Sequence, residues 1–121
     1  GMRAYRKAYD EAISVVERAL KAVKQGKKKV FISLFAPPGK RHERYKPGAF
    51  YKELRRKHSQ GFKISTCPLA IMPIDDVERA REKFEANSEV EVCWRRVKKH
   101  VAIRDGMWLR KLPAGWRISR W

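Results

Sequence analysis

The sequence predicts a single α+β domain, with an antiparallel or mixed sheet of four to five strands and about three helices in the order α-β-α-β-α-β-β-β. Helical spacing of apolar residues in the first 25 positions and period-two alternation after position 88 indicate both element types. A chain of 121 residues forms one hydrophobic core, whereas two cores would each be too small. We interpret Gly1 as a remnant of protease cleavage and expect the domain to occupy residues 2–121.

Residues 4–25 predict the first helix. Apolar side chains recur there at steps of three and four, from Tyr5 to Val23, and form one stripe along the helix. Gly26 is expected to end the helix. The positive charges of the lysines around it interact favourably with the negative end of the helix dipole. These basic residues therefore have a structural explanation as well as a functional one.

The middle of the domain is predicted to contain a strand, a helix and a second strand. Residues 30–35 are mostly β-branched or aromatic, which predicts a central strand that is buried on both faces. Residues 49–58 predict a short basic amphipathic helix that Gly61 ends. Residues 62–66 alternate like a strand, and the apolar residues 69–72 are expected to extend it after a break.

A helix from residue 75 to about Asn87 is predicted by signals at its start. Asp75 and Glu78 have the spacing of a capping box, and Ile74 is expected to pack as a hydrophobic staple one turn further on. The segment 62–90 carries 4 basic and 6 acidic side chains. We therefore expect one side of the fold to be neutral or acidic.

Strands are predicted for the C-terminal residues because polar and apolar side chains alternate there. In residues 89–95 the valines and Trp94 point one way, and mostly charged residues point the other. Asp105 and Gly106 together are a strong signal for a two-residue hairpin turn. Residues 116–121 then predict one more strand.

The net charge is the main indication of function. Lys and Arg total 30 against 13 Asp and Glu, which gives +17 at pH 7 and a pI near 10.4. A compact domain with this excess repels itself unless a negative partner neutralises it. Nucleic acid is the first candidate. An anionic membrane face or an acidic protein would also neutralise the charge, and a merely solubilising surface needs no partner.

The two cysteines indicate the compartment. Cys67 and Cys93 lack CxxC spacing, and two cysteines are too few for a disulfide framework or a thiolate metal cluster. We therefore expect buried free thiols and a reducing, cytosolic location. No apolar run approaches the ~18 residues of a membrane span, so no membrane partner is expected.

Residues 40–48 form a basic segment without apolar periodicity, next to the basic helix 49–58. Cations on a loop can follow a phosphate backbone and release its counterions, and a tyrosine can stack on a base. The predicted nucleic-acid contacts in this region are Lys40, Arg41, Arg44, Tyr45, Lys46, Lys52, Arg55 and Arg56.

Four tryptophans lie in the C-terminal third, interleaved with Arg95, Arg96, Arg104, Arg110, Arg117 and Arg120. Aromatic rings and guanidinium planes on a sheet face are typical of a stacking platform for unpaired bases. Because tryptophan also fills cores, we expect two of the four to be buried. Trp116 and Trp121 are predicted to be exposed and to bind nucleic acid with Arg117 and Arg120, or else to anchor a protein partner.

Catalysis is a weaker hypothesis. A P-loop is excluded because Leu34 and Arg41 stand where that motif needs a glycine and a Ser or Thr. The carboxylates between residues 75 and 91 are accounted for by capping and solvated faces, which disfavours a two-metal nuclease. A metal-independent ribonuclease needs only a base, an acid and a cation, and its candidate residues are His42, Glu43 and His58.

The sequence thus predicts a cytosolic protein that binds DNA or RNA by phosphate contacts and aromatic stacking, without turnover, cofactor or metal. One alternative is a small metal-independent ribonuclease that uses the segment around His42. Another is a protein-binding regulator of a nucleic-acid machine, whose positive face competes for a nucleic-acid contact. Phosphodiesterase activity would select the first alternative, and a stable complex with a protein but not with nucleic acid would select the second.

Overall fold

Four helices and one antiparallel sheet of four strands make up the described part of the chain, which is residues 2–37, 46–68 and 74–121 of a computed structural model. The strands lie in the order β1-β2-β3-β4, so each pairs with its neighbour in sequence. The predicted α+β class is confirmed. The elements are α1 (Met2–Gln25), α2 (Lys28–Ser33), α3 (Pro47–Ser59), β1 (Lys63–Thr66), α4 (Ile74–Asn87), β2 (Glu89–Lys98), β3 (Val101–Leu112) and β4 (Gly115–Arg120).

The core lies between α1 and one face of the sheet, which we call the inner face. The apolar stripe of α1 is buried against this face, and its central residues Ala12, Val16 and Ala19 are fully inaccessible. Alternation along the strands directs a second apolar set inward, because successive side chains point to opposite faces. That set includes Val90, Val92, Trp94, Met107, Leu109, Trp116 and Ile118. The opposite side of the sheet is the outer face.

Gly26 ends α1 as the sequence predicts. Its φ of +69° is in the left-handed region that favours glycine. The Lys27 N–H donates to the Ala22 carbonyl at 2.8 Å and the Gly26 N–H to the Val23 carbonyl at 3.2 Å, the two bonds of a Schellman motif. The Arg55 guanidinium also donates to the Val23 carbonyl, at 2.7 Å. Arg55 therefore joins α3 to the end of α1.

The predicted strand at residues 30–35 is wrong, because residues 28–33 form the helix α2. Phe31, Leu34 and Phe35 are buried, whereas Val30 and Ile32 are 42% and 39% exposed. This is the burial pattern of a helical face, in which positions i, i+3 and i+4 coincide. The Phe31 ring lies among three aromatic rings at centroid distances of 4.8 to 5.9 Å, from Phe35, Tyr51 and Phe50. Burial of this cluster overrides the local β propensity.

The predicted hairpin turn at Asp105 and Gly106 is also wrong. The strand β3 runs through both residues, and the turn lies at Lys99 and His100, where Lys99 has a φ of +53°. A Cβ atom on Gly106 would come within 2.5 Å of the Glu91 carboxylate. Glycine is present there because a side chain from β2 crosses over it, and not because the chain reverses.

The helix α4 differs from the prediction at its start. Ile74 already belongs to the helix, so Asp75 lies in the first turn and not at the N-cap position. Ile74 is 77% exposed, which excludes the predicted hydrophobic staple. The carboxylates of Asp75 and Asp76 instead lie in the first turn, where they interact favourably with the positive end of the helix dipole.

The other predicted elements are present. The basic helix is α3, and it buries Phe50, Tyr51 and Leu54 as expected from their spacing. Residues 63–66 form β1, and the C-terminal alternation is confirmed in β2 and β4. The proposed extension at residues 69–72 lies outside the described residues. None of the helices in the described ranges is long and apolar enough to cross a membrane.

Cys67 and Cys93 form a disulfide, so the expected free thiols are wrong. Pairing of β1 with β2 brings the two residues opposite each other, with Cα atoms 5.3 Å apart and the Cys67 N–H donating to the Cys93 carbonyl at 2.9 Å. Their separation of 26 residues carries no local signal of this contact, because only strand pairing creates it.

Replacing both cysteines by serine is expected to lower the free energy of unfolding by about 3 to 4 kcal/mol. The disulfide closes a loop of 26 residues, and in the chain-entropy model a closed loop of this length restricts the unfolded chain by that amount. Urea unfolding of the wild type and the double variant measures the difference. Reductant should shift the wild-type midpoint to that of the variant and leave the variant unchanged. Equal midpoints without reductant would contradict the expectation.

Candidate nucleic-acid interface

Five arginines and one tryptophan share the outer face of the sheet. The register of β2 with β3 and of β3 with β4 places them together, on the side opposite α1. We call this set the outer-face cluster: Arg95, Arg104, Trp108, Arg110, Arg117 and Arg120.

A β-bulge in β4 completes the cluster. Arg117 lies opposite Arg110 and Arg120 lies opposite Trp108, with a register shift between them. Strict alternation would direct residues 117 and 120 to opposite faces, because they are three positions apart. Ser119 is the extra residue of the bulge, because it has no partner in the β3–β4 register. Its hydroxyl donates to the Trp108 carbonyl at 3.1 Å. Both arginines therefore emerge on the outer face.

Two like-charged pairs lie across neighbouring strands in the cluster. Arg95 is directly opposite Arg104, and Arg110 is directly opposite Arg117. Directly opposed like charges destabilise a sheet, typically by a few tenths to ~1 kcal/mol per pair. Glu89, directly opposite Arg110 on β2, already offsets part of the repulsion in the second pair, and an anion bound between the two guanidinium groups of either pair would relieve what is left.

Two cations lie against the ring of Trp108. The Arg120 guanidinium carbon is 4.3 Å from the ring centroid, and the Lys83 ammonium of α4 is 4.7 Å from it. Arg120 also donates to the Glu89 carboxylate at 3.2 Å. The guanidinium plane is therefore held in place on a half-buried ring, which reduces the entropy lost when a ligand binds to it.

A cleft of about 430 Å³ lies between α4 and the outer face, beside the cluster. Arg79 and Lys83 line it from α4, and Glu91, Arg104 and Gly106 line it from the sheet. Burial raises the pKa of Tyr5 to about 12, and Tyr9 and the nearby Glu91 carboxylate add to the effect. The Tyr5 phenol therefore stays protonated at neutral pH.

The predicted contacts on α3 lie on the other side of the molecule. Phe50 of α3 packs on Trp94 of the inner face, with ring centroids 5.8 Å apart, so α3 and the outer face are separated by the sheet. Lys46 and Lys52 are exposed, and Arg56 is exposed with Glu53 at 3.9 Å. The structure therefore does not bring the α3 cations together with Arg117 and Arg120.

Several predicted site residues cannot be placed. Lys40, Arg41, His42, Glu43, Arg44 and Tyr45 lie outside the described residues. Of the three candidates for ribonuclease chemistry, the structure describes His58, which is half-buried on α3. Within the described ranges there is no group of three His, Cys, Asp or Glu side chains that could hold a metal ion.

The predicted exposure of Trp116 is wrong, and Trp121 is half-buried instead of exposed. Trp116 is only 6% exposed, because it lies on the inner face beneath α1, where its indole N–H donates to the Glu11 carboxylate at 2.8 Å. Hydrogen bonds from Trp116 and then Lys111 lower the pKa of Glu11. Trp121 stacks on Phe50, with ring centroids 5.0 Å apart and an interplanar angle of 8°. Burial of two of the four tryptophans is confirmed, and the buried pair is Trp94 and Trp116.

Trp108 is the tryptophan that points to the outer face, and the sequence contains a signal for this orientation. Met107 and Leu109 are apolar neighbours that point inward, so period two directs Trp108 and Arg110 outward together. Asp105 and Gly106 have the sequence of a hairpin turn, and a turn there would end the alternation before it reaches Trp108. The bulge at Ser119 has no comparable signal in the sequence.

The chain matches no protein-family model, no curated protein and no solved structure. Function is therefore argued from the site itself. The outer face offers cations in opposed pairs, a guanidinium plane held on an indole ring, and an adjoining cleft. These groups can bind anions and flat rings.

Proposed function

We propose that the protein binds nucleic acid through the outer-face cluster, by phosphate contacts and stacking and without turnover. The observation that carries this proposal is the pair of opposed arginine pairs on either side of Trp108 on one sheet face. A polyanion supports such an arrangement, because each phosphate placed between two guanidinium groups relieves their repulsion.

The dimensions of the cluster suit a run of nucleotides. Arg104 and Arg110 are six residues apart on β3, which corresponds to ~20 Å at ~3.3 Å per residue. A stacked strand with one phosphate per ~3.4 Å would cover this length with about six nucleotides. Trp108 lies between the two arginine pairs, so a base above it can stack on the guanidinium plane of Arg120.

Binding is expected to depend strongly on salt. If each of the five arginines neutralises one phosphate, log K should fall against log salt with a slope of about −3.5 for a single strand and about −4.5 for a duplex. Fluorescence anisotropy with labelled single-stranded and double-stranded DNA and RNA measures these slopes. Heparin is the control polyanion, because it has charge but no bases to stack.

Three outcomes of the same assay would change the assignment. A slope near zero, or no binding at ~50 mM salt, would remove the electrostatic basis of the proposal. Cleavage of the labelled RNA would favour the ribonuclease alternative. Equal affinity for heparin and for single strands would mean that charge accounts for binding and stacking does not contribute. The ligand would then be polyanions in general and not nucleic acid in particular.

The remaining expectations about partners and location stay predictions. The α3 cations Lys46, Lys52 and Arg56 would form a second basic surface, and a protein partner remains the alternative use of either surface. The predicted cytosolic location also stays a prediction. The Cys67–Cys93 disulfide favours an oxidising compartment instead, since reducing compartments keep such thiols free.

A further inference from the structure

The cleft between α4 and the outer face is large enough to admit one flat polar ring and is lined by charged side chains. Its volume of about 430 Å³ lies in the usual range for ligand pockets. Arg79, Lys83 and Arg104 supply positive charge from both walls, and Gly106 lines the cleft without a side chain. The ring of Trp108 adjoins it, since Lys83 lines the cleft and also lies over that ring.

Glu91 is the half-buried acceptor of this cleft, whose other lining carboxylates are Asp105 and the exposed Asp76 in the first turn of α4. The Glu91 carboxylate lies over Gly106, within 2.5 Å of the position that a Cβ atom would take. It has no hydrogen bond or ion pair among residues 2–37, 46–68 and 74–121. Asp105, the other carboxylate that the sheet contributes, is already engaged by Arg96 at 3.8 Å and by the Gly106 N–H at 3.1 Å. A partly desolvated carboxylate that has no partner within these ranges favours a ligand that brings donors to it.

We propose that the cleft binds an unpaired guanine base, whose Watson–Crick edge donates to the Glu91 carboxylate. This inference rests on the proposed function and adds a base preference to it. Guanine presents two adjacent donors, the ring N1–H and the exocyclic amino group, and these match the two oxygens of one carboxylate. Adenine and cytosine place a ring acceptor beside the amino donor, and uracil and thymine flank their N–H with two carbonyls. Each of those acceptors would face the negative carboxylate.

The position of Glu91 links this base site to the rest of the cluster. Glu91 is directly opposite Trp108 in the β2–β3 register, so a base held by Glu91 lies next to the Trp108–Arg120 stack. Arg104, which lines the cleft and belongs to one opposed pair, is placed for a phosphate of the same strand. The guanine edge is occupied in a duplex, so the ligand of this site is a single strand.

The test varies one nucleotide in a short oligouridine. Guanosine at the central position is expected to bind about tenfold or more tightly than adenosine, cytidine or uridine, the scale of a well-made two-bond contact to a base edge. Inosine, which keeps N1–H but lacks the amino group, should lie between them. Glu91→Gln should bring all four nucleotides within about threefold of one another, because an amide presents one donor and one acceptor.

Glu82→Gln is the matched control, since it makes the same charge change on an exposed position of α4 and should keep the preference. Equal binding of the four oligonucleotides by the wild type, with the salt dependence intact, would overturn the guanine site and leave the proposed function standing. A preference that survives in Glu91→Gln, or a uniform loss of affinity in that variant, would also overturn it. No binding by any oligonucleotide at ~50 mM salt would overturn both.

Discussion

Reversing one arginine of each opposed pair, as in the double variant Arg104→Glu and Arg117→Glu, is expected to lower affinity for single strands at least a hundredfold at ~0.1 M salt. Each glutamate removes one cation and also neutralises the arginine opposite it, which is Arg95 or Arg110. Four phosphate contacts are then lost, each contributing ~0.7 to the salt slope and therefore ~0.7 decades at that salt concentration. The slope should fall from about −3.5 to about −0.7.

The fold should tolerate this double variant. Each reversal replaces a repulsive cross-strand pair by an attractive one, worth a few tenths to ~1 kcal/mol. Arg117 loses its bonds to the carbonyls of Trp116 and Ala114, at 2.8 and 3.3 Å, which offsets part of that gain. We therefore expect a melting temperature close to that of the wild type together with a large loss of binding.

The matched control for this variant is Lys52→Glu with Arg56→Glu on α3, which lowers the net charge by the same amount, from +17 to +13. Both residues are exposed and lie on the other side of the sheet. Anisotropy titrations of the two variants compare the surfaces at equal net charge. A larger loss in the α3 variant would move the binding surface from the outer face to the helices.

Replacing Trp116 by alanine is expected to destabilise the fold by about 3 to 5 kcal/mol, the usual cost of truncating a large buried aromatic side chain. The indole is 6% exposed beneath α1, and its N–H bond to Glu11 would be lost with it. Binding should change only as far as the protein unfolds. Urea denaturation measures the stability, and a titration well below the transition measures the affinity.

Trp108→Ala is the comparison for that experiment, because Trp108 is half-buried on the outer face. Its truncation should cost less stability and should weaken single-strand binding by roughly 1 to 3 kcal/mol for a base that stacks there. A Trp116→Ala protein that melts like the wild type yet loses affinity would reverse the two assignments.

Local patterns predict the elements whose burial follows a single period. The stripe of α1 has a spacing of three and four over 24 residues, and the valines of β2 alternate with charged residues. Residues 30–35 show no single period, because nearly all of their side chains are apolar and the pattern is compatible with a strand and with a helix. The aromatic cluster around Phe31 decides in favour of the helix, and that cluster includes Phe50 and Tyr51 from a distant part of the chain.

The sequence by itself determined the excess of positive charge, the α+β class and the buried faces of α1, α3 and β2, because composition and short-range periodicity contain that information. Only the tertiary structure decided which charged and aromatic residues meet. The opposed arginine pairs depend on strand register, the exposure of Arg117 and Arg120 on one face depends on the bulge at Ser119, and the disulfide depends on the pairing of β1 with β2. Register and pairing are set by contacts between residues far apart in the chain, so no local pattern specifies them.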